Sequence, residues 1–225
     1  MNIQYKPTLE VGFCRSFERR IGKSLSTLQK NLLSNDLKKH LFTNELIKTI
    51  EMPIILEIGV GMGEHFVYQA AKNPNMFFIG VEVYLNGIAN VLKLAIQHNI
   101  TNFLLWPDDL DLIINHLPNH ILNGIYILFP DPWPKNKQRK KRIFNIQRLA
   151  IMQNKLKNGG FLAFASDISD YFSSSLELIK NNNNFSLENE EDFSKPHSNY
   201  LMTKYHTKAI NEGREANFWQ ATYKH

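Results

Sequence analysis

From residue 53 onward the chain alternates short apolar runs with longer stretches of helical periodicity, and no other feature restricts its fold as strongly. Pro53 introduces the strand-like IILEI, the loop GVGMG and the helical HFVYQAAKN. FFIGVEV then precedes a helix over residues 85–98, and NFLLW a short helix over 110–117. IYILF precedes a basic, then amphipathic, helix over 140–156 that stops at Asn158-Gly159-Gly160. FLAFAS and a helix over 169–180 follow, and the tail holds two more strand-like runs, FSLEN and NFWQATY. Strands apolar along their whole length, separated by helices, imply a mostly parallel sheet with helices on both faces. The expected class is α/β with seven strands. Ligands of such sheets bind beyond the carboxyl ends of the strands, so the residues that follow each strand are those to read for function.

Residues 1–50 stand apart as a basic arm and a helical stretch, in which Leu28, Leu32, Leu33, Leu37 and Leu41 lie near helical spacing. The expected division is 1–50 and 51–225. With 225 residues, 43% of them hydrophobic, the chain can bury one full core. No apolar run approaches the roughly 20 residues that span a bilayer, and the N-terminus lacks the order of a signal peptide. Cys14 is the only cysteine, which excludes an intramolecular disulfide and a thiolate metal cluster. The histidines show no metal-ligand spacing, so no metal is expected. A soluble, cytoplasmic protein is the resulting expectation.

The net charge of +5 is unevenly spread. Residues 1–50 carry net +5, residues 132–166 carry net +9 without a single acid, and the remainder carries net −9. An acidic body with two basic segments can hold a polyanion locally, although solvated lysines on a helix face would give the same count.

Acids recur at the strand ends. The first reads Glu57-Ile58-Gly59-Val60-Gly61-Met62-Gly63-Glu64. Gly59 and Gly61 allow a tight turn and close approach of a ligand to the main chain. A dinucleotide fingerprint would need glycine at position 64, where Glu64 would instead repel a diphosphate. Glu57 and Glu64 suit a cationic ligand such as S-adenosyl-L-methionine. Glu82 ends the second strand, where an acid can accept from both hydroxyls of a ribose. Asp108, favoured over Asp109, could accept from an adenine amine; an N-cap role is the alternative. The fourth strand ends in Pro130-Asp131-Pro132-Trp133-Pro134-Lys135, in which the prolines fix the backbone around Asp131 and Trp133 offers a stacking face. Six bases in eight residues follow: Lys135, Lys137, Arg139, Lys140, Lys141 and Arg142. An acid and an aromatic joined to phosphate-binding charge suggest a nucleic-acid base beside its backbone. Asp167 follows the fifth strand.

Together, LEIGVGMG, GVEV, FPDPWPK with KKR, the ASD strand end and TKYH followed by EGR resemble the bacterial tRNA (guanine-N7)-methyltransferase family over about residues 12–219. The basic segment from Arg15 to Arg20 is similar to the N-terminal segment of that family. The resemblance implies a Rossmann-like class I methyltransferase that uses S-adenosyl-L-methionine, with tRNA as its partner and position 46 of the variable loop as its target. It implies cofactor contacts from Glu57, Glu82 and Asp108, and a shared catalytic role for Asp131. Substrate contacts are implied for Lys135, Asp167, Thr203, Lys204, Tyr205 and His206, and RNA contacts for Lys137, Arg139, Lys140, Lys141 and Arg142. His206 departs from the family, which usually has Glu there. Competing readings are an amino-group methyltransferase, whose fourth-strand turn carries two prolines before the aromatic, a catalytically dead RNA-binding module, and an oxidoreductase.

Overall fold

A computed structural model describes residues 20–22, 24–188, 190–198 and 200–225. The segment from Arg15 to Arg19 and Cys14 lie outside the described residues. Seven strands form one sheet: β1 Ile54–Ile58, β2 Phe77–Val81, β3 Phe103–Trp106, β4 Leu122–Leu128, β5 Leu156–Ser166, β6 Phe185–Leu187 and β7 Asn217–Tyr223. Their order is β3-β2-β1-β4-β5-β7-β6. The pairs among β1 to β5 are parallel, and β7 runs antiparallel to both β5 and β6. The direction of winding reverses between β1 and β4, which opens a crevice at their carboxyl ends.

Strand parity divides the core in two. Ile54, Leu56 and Ile58 face one side with Ile125, Ile127, Leu162, Phe164 and Trp219. Ile55 faces the other with Phe78, Phe103, Tyr126 and Ala163. The helices are α1 Thr27–Asn31, α2 Asn44–Ile47, α3 Glu64–Lys72, α4 Leu85–Gln97, α5 Ile146–Lys155, α6 Ser169–Lys180 and α7 Lys204–Asn211. Buried residues of α3 and α4, among them Phe66, Ile88 and Val91, cover the second face. Leu149 and Met152 of α5 and Tyr171 and Phe172 of α6 cover the first. Phe42 and Ile47 are buried in that same layer, and Phe42 N donates to Leu105 O at 2.9 Å.

Three expected helices differ, and the short one over 110–117 is two 3₁₀ turns, Leu110–Leu112 and Ile114–His116. The leucine stretch is not one α-helix: α1 opens into a π turn at Leu32–Asp36 and then a 3₁₀ turn at Leu37–Lys39. The five-residue step from Leu32 to Leu37 suits the wide turn, whose closing bond runs from Leu37 N to Leu32 O. Leu28 is left 56% exposed, so it does not join the buried face. The helix expected over 140–156 is split between a 3₁₀ stretch, Asn136–Lys141, and α5. Asn145 restarts it, its side chain accepting from Arg148 N at 3.0 Å. Gly159-Gly160 does not end that helix but lies inside β5, where Leu156 already pairs with Leu122.

Candidate active site

The crevice between β1 and β4 is a cavity lined by Gly59, Gly61, Glu82, Asp108, Asp131 and Tyr205, with Trp133, Lys141, Asp111 and Arg148 also on its wall. The glycine turn requires its glycines: Gly59, Gly61 and Gly63 have φ of 78°, 56° and 83°. Nothing lies within 4 Å of where a Cβ on Gly59 would stand.

Glu82 follows β2 and is 6% exposed. Its two oxygens accept from Gly61 N and Tyr84 N, each at 2.8 Å, so the acid clasps the glycine turn and keeps further acceptor capacity. Burial pushes its pKa above the ordinary glutamate range. Asp108 Oδ1 accepts from the guanidinium of Arg20 and from Asp109 N. Asp131 stands on the Pro-rich turn after β4. Asp131 is exposed at the cavity mouth, and among the described residues nothing donates a hydrogen bond to its carboxyl; partial desolvation against the cavity wall raises its pKa above the ordinary aspartate value. Phe129 and Trp133 flank it with φ of 51° and 43°, left-handed conformations that non-glycine residues adopt only under constraint.

Not every strand-end acid reaches the cavity. Glu57 lies on the α3 side of β1, 3% exposed, and accepts from His65 Nδ1 at 2.8 Å; it is absent from the cavity wall. Asp167 Oδ2 accepts from Arg214 Nε at 2.7 Å. Thr203 caps α7, accepting from His206 N at 3.1 Å. Tyr205 is 52% exposed and its ring approaches Gly61. His206 stacks on Phe129, with centroids 5.4 Å apart, and its Nδ1 bonds Tyr200 Oη at 3.1 Å. Burial lowers its pKa, partly offset by Asp167, and an imidazole cannot supply the negative charge that a glutamate would bring there. Lys135, Lys204, Lys137 and Lys140 are exposed. Arg139 is exposed and pairs with Asp170 at 2.8 Å, and Lys141 lies over the Trp133 ring, 4.6 Å from its centroid.

Arg142, expected to contact RNA, is not on the surface with the rest of the basic run. It is 4% exposed, and its guanidinium is turned inward to Pro132 O, Ser174 and Asp170. Sequence reasoning also missed the Arg148–Asp111 fork, with bonds of 2.9 and 2.6 Å, on the cavity wall. Its one signal was that Arg148 shares an apolar helical stripe with Leu149 and Met152.

Carboxylates with spare acceptor capacity beside an open glycine turn fit a ligand rich in hydroxyl and amine donors and bearing positive charge. S-adenosylmethionine has that chemistry; a diphosphate does not. Among the described residues no group of acids, histidines and cysteines is arranged to hold a metal ion, and no helix is long and apolar enough to cross a membrane.

The family model described as "Putative methyltransferase" matches residues 51–219. A "Bifunctional methyltransferase" of Rickettsia typhi is 62% identical over 204 residues, which are 91% of this chain and 39% of that protein. The chain therefore spans about two fifths of the length of the first curated relatives it matches. A tRNA (guanine-N(7)-)-methyltransferase of Neorickettsia sennetsu is 34% identical over 195 residues, covering 84% of this chain and 88% of that protein. A "putative methyltransferase" of Streptococcus mutans, solved in complex with SAH, superposes with a TM-score of 0.54 at 12% identity, over 85% of this chain and 96% of that one. That last likeness concerns the fold alone.

Proposed function

The chain belongs to the tRNA (guanine-N7)-methyltransferase family of class I methyltransferases, and from that premise we propose that it methylates N7 of a guanine in tRNA, at position 46 of the variable loop. S-adenosylmethionine, when bound, supplies an electrophilic sulfonium methyl group. Glu82 would accept from the ribose hydroxyls, Asp108 from the adenine amine, and the glycine turn would receive the amino-acid part, with Glu57 holding the start of α3 from behind. Guanine N7 has an in-plane lone pair and no proton, so this chain need supply no general base. Its task is positioning and charge. Asp131 would accept from the N1–H and exocyclic amine of guanine and stabilise the positive charge that develops on the purine. Asp167 would assist, with Thr203, Lys204, Tyr205 and His206 lining the substrate side. Carboxylates repel phosphate, so Lys135, Lys137, Arg139, Lys140 and Lys141 would hold the RNA backbone beside them.

The observation that carries this reading is the Asp131 carboxyl, which lines the cavity with no donor among the described residues and is followed at once by the basic run. Asp131→Asn keeps the shape and removes the charge. Its kcat should fall at least a thousandfold while the Kd for tRNA changes less than threefold. Turnover at the wild-type rate would remove Asp131 from the chemistry.

A further inference from the structure

The last base of the basic run is buried while its neighbours are not. Lys135, Lys137, Arg139 and Lys140 are exposed, whereas Arg142 is 4% exposed. Arg142 Nε donates to Pro132 O at 2.9 Å. One terminal nitrogen donates to Ser174 Oγ at 3.2 Å and the other to Asp170 Oδ2 at 2.5 Å. The guanidinium also lies 4.5 Å above the ring of Tyr171. The carbonyl of Arg142 accepts from Asn145 Nδ2 at 2.9 Å and from Arg148 at 3.3 Å, and Arg148 in turn grips Asp111 on the cavity wall.

Pro132 is the residue between Asp131 and Trp133. Pro130, Pro132 and Pro134 have no N–H, so the turn has few donors with which to tie itself down. Phe129 N anchors one end on Ala165 O at 2.8 Å. The two left-handed residues, Phe129 and Trp133, need an outside restraint to persist. A planar guanidinium with donors in a fixed fork can bond the turn and α6 at once, which a lysine cannot do.

We propose that Arg142 is a positioning residue that braces the turn at residues 129–134 against α6, aiming Asp131 into the cavity, and is not a phosphate contact. The proposal rests on the reading of Asp131 as the transfer site. Two variants test it: Arg142→Lys keeps the charge and loses the fork, and Asp170→Asn loosens the anchor from the exposed side of α6. Both are compared with the wild-type protein for kcat, KM for tRNA, the salt dependence of tRNA binding, and hydrogen exchange of the amides of Asp131, Trp133 and Lys135. Bracing requires a kcat at least tenfold lower in Arg142→Lys and at least threefold lower in Asp170→Asn. It also requires a KM within twofold, an unchanged salt slope and faster exchange at the three amides. Should Arg142→Lys fail to fold, wild-type kcat and exchange in Asp170→Asn overturn the proposal. So does tighter tRNA binding at unchanged kcat when Asp170→Asn is made in an Arg139→Gln background, which removes the other base paired with Asp170 and leaves only Arg142 to be released. A wild-type protein that forms no 7-methylguanosine refutes the proposed function, and the exchange comparison still decides the brace.

Discussion

Two acids at the mouth of the cavity sit above their ordinary pKa range, and burial is the first cause for both Glu82 and Asp131. A carboxyl raised in the folded state stabilises it below the unfolded pKa, and that contribution is lost as pH rises through the folded value. Each acid therefore costs stability as it ionises, because ionisation is harder in the folded state than in the unfolded chain. The acid limb of the kcat profile should accordingly lie above the ordinary aspartate value of 3.8, with activity rising as Asp131 ionises. Titrating single-turnover rates from pH 3 upward checks this, and a limb at or below the ordinary value would contradict it. For the same reason Asp131→Asn should melt at or slightly above the wild-type temperature at pH 7. Glu82 and Asp131 were legible in the sequence because each ends an apolar strand. Glu57 was not legible in the same way: it is a strand-end acid by position, but parity turns it to the α3 side and onto His65. Partners such as Asp111 for Arg148, 37 residues apart, are fixed by tertiary packing that spacing does not encode.

At the scale of elements, the β-strands and α4, α6 and β7 are legible in the sequence because their apolar periods are unbroken. The misses include the π turn of Leu32–Asp36, the 3₁₀ turns that replace a helix at 110–117, the break between Lys141 and α5, the start of β5 at Leu156, and the short α2 and α7, which were not expected. The glycine turn is fixed by sterics. A Cβ on Gly63 would lie 2.3 Å from Val91 Cγ2, at a φ of 83°. Gly63→Ala should cost about 1–3 kcal/mol of stability, from overpacking and a strained backbone together. Trp219, 1% exposed and stacked on Phe164 at 5.4 Å, joins β7 to the core. Trp219→Ala should cost roughly 3–5 kcal/mol. Denaturant unfolding measures both, and a loss below about 1 kcal/mol in the second would place Trp219 outside the cooperative core.

Across the whole molecule, the charge pattern of the sequence becomes spatial. The basic run follows the Asp131 turn directly, so the proposed chemistry and the proposed polyanion binding would meet between Asp131 and Lys135. Within that run Arg142 turns inward, whereas Lys135, Lys137 and Lys140 are exposed, which leaves those lysines as the charges proposed for the RNA backbone. Replacing Lys135, Lys137 and Lys140 by Gln should weaken tRNA binding and reduce the slope of log K against log salt by roughly 0.7–0.9 for each phosphate no longer neutralised. An unchanged slope would place the RNA elsewhere. The central claim, a methyl group delivered to guanine N7 in tRNA, is tested most directly by mass mapping of nucleosides. Unmodified tRNA is incubated with the protein and S-adenosylmethionine carrying a labelled methyl group, then digested. Labelled 7-methylguanosine at position 46, absent with Asp131→Asn, is the expected result; tRNA without that nucleoside, or label on an exocyclic amine instead, would contradict it.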